Sequence, residues 1–578
     1  MRPRPRTSDC SPWPGFCHFV LGIWLFLSPS AAFPQAQTQA PAAGAAATAE
    51  LPPPPKTQSI DTYIHQGWDT LSRSMSDCTS LVDPKVTTEP VLYLPADVPT
   101  PPEITRMQSQ CKVSVQRLPH AITRFGQMKS SEIRQTGLLY LPNRYVVPGG
   151  RFNEMYGWDS YFIILGLVRD GRIDLARGMV ENFFYEIEHY GGVLNANRTY
   201  FFTRSQPPLL SSMILTVYAA MGNTPEARAF LSRAYKYADR DYGLWTSDIH
   251  RGGDTGLAHY FDIGEGPVPE MADDSTYYPD VIRWLVAHPE VKTNYLIPAP
   301  ENPDPTQQIS LSTMSCDLRA SAVCAHAWAM GYRLTIDFYR GDRAMRESGF
   351  DTSFRFGPFS GSTHHYAPVC LNSLLYKYAQ DMAGMAHTLG HGKAEKEWKH
   401  RAENRKSAIN KFLWNAERGL FFDYDFTTNQ QSTYVYASTF YPLWAGLASP
   451  EQAAAVEHHL DLLEQPGGLA ASNNVSGMQW DMPYGWAPLN YFAAQGMAKA
   501  GDMTDATKVA DSFMKTVLAS FEREGTIREK YNVVAGSTDV KVVAGYKTNV
   551  VGFGWTNGVY LVFEQLVGTS PMAHTGTQ

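Results

Sequence analysis

A basic surface is the first thing this sequence lacks. Lys and Arg number 49 against 56 Asp and Glu, a formal net charge of −7. That excludes the positive field that holds nucleic acid or another polyanion. Metal-ligand spacing is missing too: there is no CxxC and no HExxH, and the 16 histidines are scattered. Neither a metal nor an organic cofactor is therefore expected. No repeat of about 34 or 40 residues marks an open solenoid. Alternating strand patterns are few and short, the clearest lying around Val533–Val543. Beyond the N-terminus no run approaches the ~20 apolar residues of a spanning helix, so no stable membrane insertion is expected.

Cysteine is sparse, at seven residues, of which Cys10 and Cys17 lie near the N-terminus. The sequence-local pairings among the rest are Cys78–Cys111 and Cys316–Cys324, and Cys370 is left as a free core thiol. The N-terminus reads as a secretory signal peptide over residues 1–36. Arg2, Arg4 and Arg6 precede an apolar run from Phe16 to Leu27, and small residues follow. Export, to the periplasm or out of the cell, is the expectation. Residues 37–57, rich in Ala and Pro, form a flexible linker; 58–568 form one domain and 569–578 a tail.

What the chain does hold is helical periodicity. RIDLARGMVENFFYEIEHYG repeats apolar residues at three- and four-residue steps and stops on Gly191. PPLLSSMILTVYAAMG and TPEARAFLSRAYKYADRDY follow, the second opened by a threonine cap. Further helices are predicted at 316–340, 367–389, 393–414, 450–464, 483–501, 504–521 and 555–567. A proline-rich surface loop runs from Ala287 to Gln307. Many helices with no linker between them fit a closed, all-α helical barrel better than separate bundles.

Between these helices lie stretches that mix aromatics with amides, guanidinium groups and acids. They are PGGRFNEMYGWDSY (Pro148–Tyr161), NANRTYFFTRSQPP (Asn195–Pro208), RESGFDTSFRFG (Arg346–Gly357), QWDMPYGWAP (Gln479–Pro488), IREKYN (Ile527–Asn532) and GFGWTNG (Gly552–Gly558). Sugars present hydroxyl rims and apolar C–H faces, which this mixture matches: rings stack, and Arg, Asn, Gln and Asp fork onto hydroxyls. Cleaving a glycosidic bond needs two carboxyl groups flanking it. Among 56 acids, spacing alone does not select them.

PGGRFNEMYGWDSY and QWDMPYGWAP resemble the two motifs of the trehalases, inverting glycoside hydrolases that split α,α-trehalose into two glucoses; the resemblance runs from about residue 60 to 567. It implies an (α/α)6 toroid, with the aspartate of ESGFDTSFR, Asp351, as general acid and the glutamate of EKY, Glu529, as general base. Inversion implies carboxyl groups about 6.5–9.5 Å apart, leaving room for the attacking water. Sugar contacts implied by motif position are Arg151, Phe152, Tyr156, Trp158, Asp159, Asn195, Arg204, Gln206, Glu270, Trp480, Asp481 and Trp555, with Arg355 a possible tuner of the acid. Trehalose and water are then the partners. The chain departs from the family at Val268, where the family's arginine precedes Pro-Glu, at VVAGYKTNVV, which lacks a glutamate, and at Phe350, where the family has tryptophan. These departures keep open a related (α/α)6 glucosidase with another glucoside as substrate, and a catalytically silent trehalose-binding protein. The absence of a Gly-rich cradle at a helix start argues against a phosphorylase.

Overall fold

The computed structural model describes residues 58–82, 89–129, 132–273, 276–300, 327–546 and 548–568. The leader and linker, the tail, and the Cys316–Cys324 pairing lie outside the described residues. Helices dominate, and their boundaries follow local chemistry. Pro225–Trp245 opens under Thr224, whose side chain accepts the Ala227 N–H, with a proline and Glu226 in the first turn. Met503–Glu524 stops on Gly525, in the left-handed conformation that favours glycine.

Six helices pack in a closed ring. Asp159–Arg169 touches Leu210–Ala220, which touches Val369–Leu389; Tyr441–Ala445 and Ala487–Ala500 follow, and Gly554–Gly568 returns to Asp159–Arg169. Ile60–Thr70, Ile173–His189, Pro225–Trp245, Gly392–Phe412, Pro450–His458 and Met503–Glu524 pack outside them. The two sets alternate along the chain. Burial separates them as it must: Val369–Leu389 buries 15 of its 21 residues, whereas Gly392–Phe412 buries only the stripe Trp398, Ala402, Arg405 and Ile409. The first and last ring members cross on glycine, since a Cβ on Gly558 would sit 2.0 Å from the Phe162 carbonyl oxygen. This is the (α/α)6 toroid that the sequence predicts.

Because each connection reverses direction, the inner helices run parallel and their N-termini share one end of the ring. The polar–aromatic stretches precede these N-termini, so the fold gathers segments hundreds of residues apart. Between Pro225–Trp245 and Val369–Leu389 the chain adds helices Tyr277–Ala287 and Ile336–Glu347, with a separate small core including Val268, Tyr277, Tyr278, Phe338 and Phe359. Val91–Leu94 pairs in parallel with Ser114–Arg117 and Leu138–Leu139 at the N-terminal flank.

Three local expectations change. The strand expected at Val533–Val543 is not formed; instead Lys530–Asn532 pairs with Tyr484–Trp486, and a turn through Gly536 joins Asn532 to Ser537. In the predicted helix 316–340, the described part is a strand, Tyr332–Leu334, and the helix starts only at Ile336, where Thr335 caps it. The proline-rich loop contributes Leu296–Pro298 as the partner of that strand. Cys78 and Cys111 form the expected disulfide, and Cys370 is free and buried.

Candidate active site

Four indoles and a phenyl ring form the floor at the N-terminal end of the ring. Trp158 meets Phe350, Trp480 and Trp555 at centroid distances of 5.5, 6.0 and 5.8 Å, and Trp480 stacks on Trp486 at 3.8 Å. Trp158, Trp480 and Trp555 retain only 2, 2 and 4% exposure, so they make a rigid base and not an open stacking platform. Gly349 permits this packing: its φ is +77° and a Cβ there would lie 2.8 Å from the Trp158 indole. Phe350, where the family is expected to have tryptophan, packs edge-on against Trp158, Trp480 and Tyr436.

Asp351 follows at the end of this loop. Its backbone carbonyl accepts from Gln479 Nε2, and the Thr352 carbonyl accepts the Trp480 N–H at 3.0 Å, tying the loop to QWDMPYGW. Burial pushes the Asp351 carboxyl up to about 6, and Glu270 adds to this while Arg346 and Arg204 oppose it. Arg346 Nη1 stands 3.7 Å from Asp351 Oδ2, and its Nε 4.0 Å from Glu270 Oε1. Arg204 Nη2 donates to Glu270 at 2.5 Å. Tyr546 lies within electrostatic reach of Asp351, Glu270, Arg346 and Arg151, and Arg151 covers the Phe152 ring at 4.8 Å on the exposed rim. Phe152 packs edge-on to Tyr156.

Glu529 comes from the opposite part of the sequence. Its backbone is held by Val550 O and by Trp555 Nε1, each at 3.0 Å. Its Oε2 accepts from the buried Lys530 ammonium at 3.0 Å. Asp159, the first residue of its inner helix, links the two sets electrostatically. Burial pushes its carboxyl well above the usual range, and the charges of Glu529 and Asp351 add to the shift.

Several buried polar atoms here have no hydrogen-bond partner: Arg204 Nε and Nη1, Arg346 Nη1, Glu270 Oε2 and Gln479 Oε1. Buried polar groups are costly unless satisfied. Donors and acceptors held this way suit a ligand bearing many hydroxyls. Gln206 and Asn195 serve the frame: Gln206 Oε1 accepts the Trp158 N–H at 2.8 Å, and the Asn195 backbone bridges Gly157 and Arg204.

Two expected site residues are engaged elsewhere. Arg355 is paired with Asp423 at 2.6 and 2.8 Å and with Ser438, under the Tyr436 ring, and the guanidinium beside the acid is that of Arg346. Asp481 accepts from Tyr434, Ser472, Ser476 and the Phe354 N–H, which anchors the acid loop and occupies its lone pairs. The Val268 departure is also explained in packing terms. Val268 is fully buried in the second core, and Arg346 presents a guanidinium to Glu270 from the neighbouring helix. Arg346, Lys530 and Tyr546 lie in RESGFDTSFRFG, IREKYN and VVAGYKTNVV, yet no spacing or motif position in the sequence sets them apart; only the fold brings them to the acid and base.

A toroid of paired helices with a carboxyl-lined, arginine-rich, aromatic-floored mouth defines a glycoside hydrolase. The trehalase family profile matches residues 60–273 and 331–568, and the chain belongs to the trehalase family. It is 34% identical to the cytosolic neutral trehalase of Saccharomyces cerevisiae, over 86% of this chain and 70% of that protein. It is also 34% identical to the cytosolic neutral trehalase of Neurospora crassa, over 88% and 73%. The solved neutral trehalase Nth1 of Saccharomyces cerevisiae superposes with a TM-score of 0.71 at 30% identity, covering 89% of this chain and 94% of that one. These relatives overturn the expectation of a signal peptide with periplasmic or secreted location, because they are named as cytosolic proteins. Three arginines before a short apolar run are a weak guide to destination. No helix among the described residues is long and apolar enough to cross a membrane.

Proposed function

We propose that the chain hydrolyses α,α-trehalose to two glucoses with inversion, Asp351 acting as general acid and Glu529 as general base, within a single catalytic domain over 58–568. The observation that carries this reading is the different setting of the two carboxyl groups, Asp351 beside Arg346 and Glu529 against Lys530. Asp351 sits where burial pushes it up to about 6, so it holds a proton over a useful range. Glu529 stands against the Lys530 ammonium, its Oε2 3.0 Å from Lys530 Nζ. The glycosidic oxygen takes the Asp351 proton as the C–O bond breaks. Glu529 takes a proton from the water that attacks the anomeric carbon from the other face. Arg204, Arg346, Glu270 and Gln479 supply donors and acceptors for hydroxyls, and Asp159 adds a buried carboxyl.

The acid role fixes the sign of a pH dependence. Asp351 must be protonated to donate, so kcat/KM is expected to fall as pH rises through about 6. A pH profile of kcat/KM on trehalose reads this limb directly. Substrate class is tested by comparing trehalose with maltose and kojibiose at equal concentration. Trehalose is expected to be cleaved at least tenfold faster than either; faster cleavage of maltose or kojibiose would make the protein a different α-glucosidase.

A further inference from the structure

Away from the mouth, three potential metal donors meet at the far end of the acid-bearing segment. Asp337 lies in the first turn of helix Ile336–Glu347, and His364 and His365 lie in the turn Thr363–His365. Asp337 Oδ1 is 3.0 Å from His364 Nε2 and 3.5 Å from His365 Nε2, and one ligand atom from each residue lies within 4.8 Å of the others. The two imidazoles lie side by side with centroids 4.0 Å apart. A tetrahedral zinc ion with bonds of about 2.0–2.1 Å sets its donors roughly 3.3–3.4 Å apart, a spacing that the two Asp–His separations of 3.0 and 3.5 Å bracket.

The surroundings hold these donors in place. The His364 carbonyl accepts from His259 Nδ1 at 2.7 Å, and the His365 carbonyl accepts the Phe426 N–H at 3.1 Å. His364 Nδ1 is buried with no hydrogen-bond partner, so the ring's polar engagement is through Nε2 toward Asp337 alone. The side chains of Asp337 and His365 are 32 and 29% exposed, leaving a solvent side for a water as fourth ligand.

We infer that Asp337, His364 and His365 bind one zinc-class divalent ion through two imidazole nitrogens and a carboxylate oxygen. Two imidazoles and one carboxylate suit zinc, cobalt and nickel and are a poor set for calcium or magnesium. The ion joins the start of the helix that carries Arg346 in its last turn to the turn that closes the Asp351 loop. It is therefore a clamp on the segment carrying the proposed acid, and takes no part in the chemistry.

The test is zinc titration of the untagged, chelator-treated full chain against a chromophoric chelator, with circular dichroism checking the fold of each variant. Wild type is expected to take up one equivalent with micromolar or tighter affinity. Asp337→Asn and His365→Ala, both at partly exposed positions, are each expected to weaken that site by about tenfold or more. His387→Ala, at an exposed histidine paired with Glu395, is expected to leave it unchanged. Cobalt(II) is expected to give the visible absorption of a four-coordinate site in wild type and to lose it in Asp337→Asn. Failure of folded wild type to bind one equivalent, or equal binding by wild type and both folded variants, would overturn the assignment and leave a His–Asp hydrogen-bonded cluster.

Discussion

Asp351→Asn is expected to lower kcat on trehalose by about 10³-fold, the middle of the range for general acid catalysis. The leaving group is a sugar oxygen, which departs poorly as an alkoxide, so losing the proton donor acts mainly on kcat. Asparagine keeps the size of the side chain, and the loop remains held through backbone contacts to Gln479 and Trp480. Binding is therefore expected to change by less than tenfold. Glu529→Gln is expected to lose activity to a similar degree, because the water is no longer deprotonated. Steady-state kinetics with isothermal titration of trehalose separate kcat from binding. Either variant retaining near-wild-type turnover would remove that residue from the mechanism.

The second large effect is expected at Arg346. This guanidinium is 3% exposed and stands among Asp342, Glu270 and Asp351, with the Tyr277 ring 5.1 Å below it. Asp342 is fully buried and takes hydrogen bonds from Tyr277 and Tyr278 as well. Arg346→Leu leaves that carboxylate without its counter-charge, at a cost of about 3–5 kcal/mol of stability. Arg346→Lys keeps the charge and serves as the folded comparison. It loses the planar fork, and kcat/KM is expected to fall by roughly 10–100-fold, as removing a charge-assisted contact of about 1.5–3 kcal/mol implies. The pH profile gives the diagnostic. Arg346 holds the Asp351 carboxyl down against its burial, so weakening this cation raises the Asp351 value and moves the alkaline limb above 6. Unfolding curves and pH profiles check both parts; an unmoved limb in a folded Arg346→Lys protein would mean that Arg346 does not tune the acid.

The ring was legible because inner and outer helices carry different burial patterns, and stops such as Gly191 and Gly222 mark their ends. The mouth was legible as six polar–aromatic stretches, since the fold places such stretches before inner helices. Single roles were harder. Arg355 follows Asp351 by four residues, yet its charge goes to the buried carboxylate of Asp423, more than sixty residues further on. Arg346 precedes the acid on a helix, and only the meeting of that helix with the Glu270 segment gives it a partner there. Asp481 is expected as a sugar contact by its motif position; tertiary packing surrounds it with four donors. The His364–His365 pair escaped spacing rules because its third member, Asp337, lies on the preceding helix.

The measurement closest to the central claim is proton NMR of the anomeric signals in the first minutes of trehalose hydrolysis, before mutarotation mixes them. Attack by water on the face opposite the departing sugar gives one equivalent each of α- and β-glucose, the result this account predicts. Two equivalents of α-glucose would contradict it, showing retention and giving Glu529 or Asp351 a nucleophilic role in place of the proposed acid–base pair.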